Sequence, residues 1–180
     1  VHVPFVSYPP NLTTLDVSNN SSILKLVKLP TSLETLIANW TKITSISEIE
    51  TTNAGNTLPN LKTLNVAGCP LSTIAGINTK LPVLESLIAN SCGLSGACPT
   101  LPSTLQYAEL SYNSFTSLPS LPSTLEKLYV SGNKLSDMPT LPASLSILHA
   151  NGRHTTTGWP NYDPVLLNPL GDWNISATEG

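Results

Sequence analysis

The segments LPSTLQYAELSYNSFTSLPS (101–120), LPSTLEKLYVSGNKLSDMPT (121–140) and LPASLSILHANGRHTTTGWP (141–160) align without a gap. Towards the amino terminus the same skeleton returns in LPVLESLIANSCGLSGA (81–97), LPNLKTLNVAGCPLSTI (58–74) and LPTSLETLIANWTKITSI (29–46). It is rougher in PPNLTTLDVSNNSSI (9–23). The first leucines of the repeats are Leu12, Leu33, Leu61, Leu84, Leu105, Leu125 and Leu145, at intervals of 21, 28, 23, 21, 20 and 20 residues. Within each unit the central residues alternate, as a short strand requires if one side faces a core and the other faces solvent. The expected inward pairs include Leu36 with Ala38, Leu64 with Val66, Leu87 with Ala89 and Leu128 with Val130.

Seven registers that agree on L-x-x-L-x-L-x-x-N/C-x-L resemble the leucine-rich-repeat family over roughly residues 9–152. The last units, with L-P-x-L-P and a twenty-residue period, look like the short repeats of secreted bacterial effectors. GLSGACP (93–99) echoes the L-x-G-x-I-P of plant extracellular repeats. The resemblance implies a repeat solenoid in which strands of successive coils pair in parallel on a concave face, since no coil can bury its leucines alone. It also implies that the ninth residue of each unit points inward and hydrogen-bonds the loop backbone of neighbouring coils. Those residues are Asn20, Thr41, Cys69, Cys92, Asn113, Asn133 and Arg153. Asn, Thr and Cys can all donate such a bond, whereas Arg153 is too long for the slot, so the repeat should end there.

Twenty residues leave no space for a convex α-helix after strand and turn. The return arcs should be mostly irregular and polyproline-like, favoured by pairs such as Leu118-Pro119 and Leu121-Pro122. The second unit carries an insertion, SEIETTNAGN (47–56), expected to form a short helical turn and loop. Residues 1–152 thus read as a solenoid of seven coils, flat or gently curved and about 34 Å long at one strand spacing per coil. Residues 153–180 break the period and read as an irregular cap or docking tail. Their apolar load includes Trp159, Tyr162, Val165, Leu166, Leu167, Leu170 and Trp173. These would seal coil seven or dock on another copy's first coil, because solenoid ends expose leucines and strand edges.

The outward positions carry the candidate contact residues Trp40, Tyr107, Tyr112, Tyr129 and His149, with Glu109, Lys127 and Asn151 beside the tyrosines. Tyr107, Tyr112, Tyr129 and His149 fall in consecutive coils and are expected to form one patch. Exposed aromatics with polar neighbours anchor protein or sugar ligands. Cross-strand packing alone also places aromatics on strand faces.

No chemistry-bearing constellation competes with that surface. G-x-S-x-G elbows, phosphate-cradling loops and paired carboxylates are missing from the sequence, and the acids are scattered singly. His2, His149 and His154 do not form a catalytic set, so no enzyme, cofactor or metal is expected. Cys69, Cys92 and Cys98 should all face the core as buried thiols; Cys92–Cys98 or Cys69–Cys92 disulfides are the sharper alternatives.

Composition narrows the setting. Of 180 residues 40 % are hydrophobic and only 11 % charged, against roughly 25 % charged in ordinary soluble domains. The formal charge of −3 offers phosphate backbones no attraction, so nucleic acid is excluded as a partner class. No apolar run approaches the roughly 20 residues of a membrane-spanning helix. The chain starts at Val1 without an initiator Met or a signal sequence and is expected to be a piece of something longer.

Four N-x-Ser/Thr sequons occur, at Asn11, Asn20, Asn39 and Asn174. Asn20 should be committed to the ladder, leaving Asn11, Asn39 and Asn174 as glycosylation candidates. Few charges, many hydroxyls and these sequons lean towards an extracellular or cell-surface setting. The sequence therefore points to a non-catalytic module that binds a protein or glycan. The alternatives are a glycosylated subunit stacking head to tail into a filament, or the repeat domain of a bacterial secreted effector.

Overall fold

The computed structural model describes residues 8–53, 55–151 and 174–176. In chain order the elements are strands β1 (Thr14–Asp16), β2 (Leu26–Leu29) and β3 (Thr35–Ile37), a 3-10 turn (Ile46–Glu48), then β4 (Ile49–Thr51) and β5 (Thr63–Asn65). Helix α1 (Ile77–Lys80) follows, then β6 (Ser86–Ile88), β7 (Ser95–Ala97), β8 (Tyr107–Glu109) and β9 (Ser114–Ser117). The last are β10 (Lys127–Tyr129), β11 (Ile147–His149) and β12 (Asn174–Ser176).

One sheet runs β1-β3-β5-β6-β8-β10-β11, every pair parallel and each strand from the next coil. Its register places Leu15, Leu36, Leu64, Leu87, Ala108, Leu128 and Leu148 in a single file. From Leu36 to Leu148 that file is buried, and so is the parallel file Val17, Ala38, Val66, Ala89, Leu110 and Val130. Full burial of one such leucine contributes about 2 kcal/mol, and a coil gains it only when flanked on both sides. Coils one and seven show this: Leu15, Leu141, Leu145 and Ala150 are only half-buried.

A second set of contacts fixes the stacking. In the x-Ser/Thr-Leu step before the strand, the hydroxyl reaches back to the first leucine of the preceding coil. Ser32 donates to the Leu12 carbonyl at 2.8 Å, Thr104 to Leu84 at 2.8 Å, Thr124 to Leu105 at 2.8 Å and Ser144 to Leu125 at 2.7 Å. Asn60 does the same job with an amide, donating to Thr31 at 2.9 Å.

The convex side is made of mostly irregular arcs with little helix, as expected, and adds two short strand pairs. β2 pairs with β4 and β7 with β9, both parallel. Neighbouring arcs lie one strand spacing apart, so any extended stretch with free amides finds a partner. The arc after β10, with Pro139 and Pro142, makes only scattered bonds, such as Lys134 N–H to the Phe115 carbonyl at 2.9 Å. The 47–56 insertion holds the expected turn but continues into β4. Ser45 and Glu48 close the turn as a reciprocal cap. Lys80 Nζ holds the far side of the loop by donating to the Asn56 carbonyl at 2.9 Å.

At the carboxyl end β12 pairs antiparallel with β11, Leu148 opposite Ile175. Trp159, Tyr162, Leu166, Leu167 and Trp173 lie outside the described residues, as do His2, Arg153 and His154.

Candidate binding face

Tyr107, Tyr129 and His149 share the solvent side of β8, β10 and β11, because they alternate with the buried Ala108, Leu128 and Leu148. Tyr129 stands directly opposite His149 in the register, and Tyr107 lies diagonally, opposite Lys127. The Tyr107 and Tyr129 rings meet at 5.5 Å between centroids with a 43° tilt. The Tyr129 and His149 rings meet at 4.7 Å, edge to face at 65°. Both distances fall in the attractive range for aromatic pairs, so the three rings form one continuous surface.

Burial, and then the neighbouring Glu109 and Tyr129, push the Tyr107 hydroxyl above its ordinary value. It therefore stays protonated and able to donate near neutral pH. Glu109 is fixed in turn, accepting the Ser111 N–H at 3.0 Å. Lys127 is exposed beside the rings.

Trp40 and Tyr112 do not join this patch. Both precede the ladder residue of their coil, a position whose backbone is left-handed in six successive coils: Asn19, Trp40, Gly68, Ser91, Tyr112 and Gly132 have φ between 56° and 68°. That conformation turns the side chain off the strand face and over the adjacent coil. A Cβ built on Gly68 would lie 2.5 Å from Trp40 Cε3, and one on Gly132 2.9 Å from Tyr112 Cδ1. Each ring thus sits on the main chain of the next coil, yet Trp40 remains 57 % and Tyr112 60 % exposed. The expected single patch is therefore two rows. Asn19, Gly68 and Gly132 were the signal for the second, since Asn and Gly are the residues that tolerate this φ.

The ladder behaves as the resemblance implied. Asn113 Nδ2 donates to Ala89 and Leu110 carbonyls at 2.9 Å each, and its Oδ1 accepts the Cys92 and Leu94 amides at 3.1 Å each. Asn133 repeats the pattern on Leu110, Val130 and Phe115. Thr41 and the two cysteines donate from the same slot: Thr41 Oγ1 to Ala38 at 2.9 Å, Cys69 Sγ to Ala38 at 3.1 Å and Cys92 Sγ to Val66 at 3.2 Å, and Thr41 Oγ1 and Cys69 Sγ also share a bond at 3.3 Å. Lacking an acceptor behind it, the Leu71 amide turns to its own coil and bonds Cys69 O at 2.8 Å. Asn20 also donates, to Val17 at 3.0 Å, but it stands exposed at the open end.

All three cysteines are free and buried. Burial, with a smaller contribution from Cys69, pushes the Cys92 thiol up to about 12, and burial alone does the same for Cys98. The thiolate is the reactive form, so the folded chain should resist thiol reagents at pH 8 and react at these sites only after unfolding. Rapid labelling of Cys92 or Cys98 in the native chain would contradict that burial. The raised values also set a direction for stability. Holding neutral thiols costs nothing below the ordinary thiol range, and stability falls as pH rises from there towards about 12.

Among the sequons, Asn11 and Asn20 are exposed and Asn39 is half-buried with its amide unpaired, while Thr41 of that sequon is buried. Asn174 lies on β12. Among the described residues no three His, Cys, Asp or Glu side chains cluster as a metal would need. No helix there is long and apolar enough to cross a membrane.

No family model matches the chain, and no curated protein matches it. Among solved structures it is similar to YopM from Yersinia enterocolitica WA-314, with a TM-score of 0.59 and 31 % sequence identity over 81 % of this chain. The matched region covers 34 % of that chain, so this sequence spans about a third of YopM. The parallel sheet of successive coils, the leucine files and the Asn/Thr/Cys ladder give the chain the leucine-rich-repeat fold, and that match supports the leucine-rich-repeat family.

Proposed function

We propose that this chain is a non-catalytic recognition module of an extracellular or cell-surface protein, and that it binds a protein partner on the sheet face of coils five to seven. The carrying observation is the contiguous Tyr107, Tyr129 and His149 surface. It is flanked by Lys127 and Glu109, which supply charges of both signs at its rim. Rigid aromatics at the centre and charges at the edge are the arrangement that anchors protein partners. The rest of the sheet face carries no aromatic ring, with Thr14, Thr35, Thr63 and Ser86 in one file and Asp16, Ile37, Asn65 and Ile88 in the other, and offers no comparable anchor.

The test uses a partner captured from the natural source. Tyr107→Ala and Tyr129→Ala should each weaken its binding at least about 30-fold, the effect of losing roughly 2 kcal/mol at a central anchor. The thermal midpoint should hold, because both side chains lie outside the core. Unchanged affinity in both variants would remove the face from the interaction. The extracellular part of the reading rests on Asn11, Asn39 and Asn174, and intact mass before and after deglycosylation should differ.

The likeness to a Yersinia protein favours a second reading, the repeat region of a secreted bacterial protein. Binding through the tyrosines with no mass change on deglycosylation supports it. Head-to-tail stacking is less favoured, because β12 lies along the β11 edge that a neighbour's first strand would need.

A further inference from the structure

Trp40 and Tyr112 occupy backbone positions that suit them poorly. In the equivalent places of other coils stand Asn19, Gly68, Ser91 and Gly132, all small. A left-handed φ is strained for bulky side chains and persists where something else favours the residue. Covering a glycine explains the inner face of each ring, which rests on Gly68 or Gly132. It leaves the outer face unexplained, and that face is open: with Leu24, these are the exposed large hydrophobic side chains among the described residues. Each ring is thus a fixed aromatic platform with little freedom to lose when something stacks on it.

The surroundings define what would stack. The strip formed by these residues and those preceding them reads Ser18-Asn19, Asn39-Trp40, Ala67-Gly68, Asn90-Ser91, Ser111-Tyr112 and Ser131-Gly132, without one charge. The side chains of Asn19, Asn39, Asn90 and Ser91 have no hydrogen-bond partner among the described residues. An amide both donates and accepts, and so does a hydroxyl, which matches the donor–acceptor character of sugar hydroxyls. Single-stranded nucleic acid also stacks on aromatic platforms but needs a cationic groove, which this strip lacks. Trp40 and Tyr112 stand three coils apart, about 14 Å at one strand spacing per coil, the reach of an oligosaccharide rather than of one ring.

We propose that the strip from Asn19 to Tyr112 is a second binding site, for a neutral polysaccharide, with Trp40 and Tyr112 as stacking platforms and the amides of Asn19, Asn39 and Asn90 and the Ser91 hydroxyl along it as hydroxyl partners. It is separate from the Tyr107, Tyr129 and His149 face and does not depend on it.

The full chain, made in bacteria so that Asn39 carries no sugar, is run through native gels containing a soluble β-1,4-glucan, β-1,3-glucan or mannan. An acidic polygalacturonate gel serves as the control. At least one neutral polymer should retard it, and the acidic one should not. Trp40→Gly and Tyr112→Gly place at these turns the residue that Gly68 and Gly132 already use. Each should weaken retardation at least tenfold, and together they should abolish it with the thermal midpoint retained. Asn at both positions, as at Asn19, gives a second set with the same expectation. Tyr107→Ala with Tyr129→Ala should leave retardation unchanged, which separates this site from the protein-binding face. Passage through all three neutral gels, equal retardation by polygalacturonate, or retention by the double variants would overturn the proposal.

Discussion

Asn113→Ala is expected to destabilise the chain by about 4 kcal/mol, enough to threaten folding of a domain this size. The residue is buried, and its amide joins two coils by four bonds of 3.1 Å or less. Alanine strands the Cys92 and Leu94 N–H groups and the Ala89 carbonyl in a place water does not reach, while the Leu110 carbonyl keeps the Asn133 amide. Each unpaired buried group costs about 1–3 kcal/mol, and partial relaxation brings the total below the simple sum. Asn20→Ala is the internal control. That side chain is exposed and bonds only within its own coil, to Val17 and Ser18, so its loss should stay under about 1 kcal/mol. Asn113→Thr should fall between, because Thr41 shows that a hydroxyl can donate from this slot but leaves the amides of the preceding coil unserved. Urea midpoints for the three variants measure this, and equal losses at positions 20 and 113 would contradict the ladder's role.

Gly68→Ala should cost about 3 kcal/mol, from two separable sources. Its φ of 66° penalises any Cβ by about 1 kcal/mol, and that Cβ would meet three Trp40 ring atoms at 2.5 to 2.6 Å. Gly93→Ala isolates the first source: its φ is 78°, but nothing lies within 4 Å of the added methyl. Trp40→Gly combined with Gly68→Ala isolates the second, because the ring that clashes is gone. The double-mutant cycle should therefore show a coupling of about 2 kcal/mol between Trp40 and Gly68. A coupling near zero in thermal or urea unfolding would mean that the ring swings away freely, and Trp40 would cease to be a fixed platform.

The sheet was legible because its cause is periodic. Leu36, Leu64, Leu87 and Leu128 recur at one place in each unit, and nothing but a shared interior satisfies them all. The convex strands were not legible, since β7 is Ser-Gly-Ala, without alternation or strand preference, and pairs only because β9 lies alongside. Backbone sign was hidden in a similar way. Outward spacing placed Trp40 and Tyr112 with the tyrosines of the strand face, while the chain turns left-handed under them and carries their rings onto the next coil. Reading down the column, where Asn19, Gly68 and Gly132 stand, would have shown that turn; reading along the unit could not. The same applies to the hydroxyls of Ser32, Thr104, Thr124 and Ser144, whose recurrence before four of the first leucines looked like composition and proved to be contact.

Coils five and six have the same length, and each of coils five to seven holds the one before it through the same hydroxyl, so the array behaves as a ruler that can be extended in whole marks. A tandem copy of residues 121–140 inserted after Thr140 would offer Leu125 the hydroxyl it already receives from Ser144. It would also offer the sixth coil an asparagine of the kind that serves Phe115. The interior would not register the change, while the surface would gain one more tyrosine about 4.8 Å along the row. Reach and contact chemistry can thus drift by copying errors in the gene, without renegotiating the leucine packing underneath.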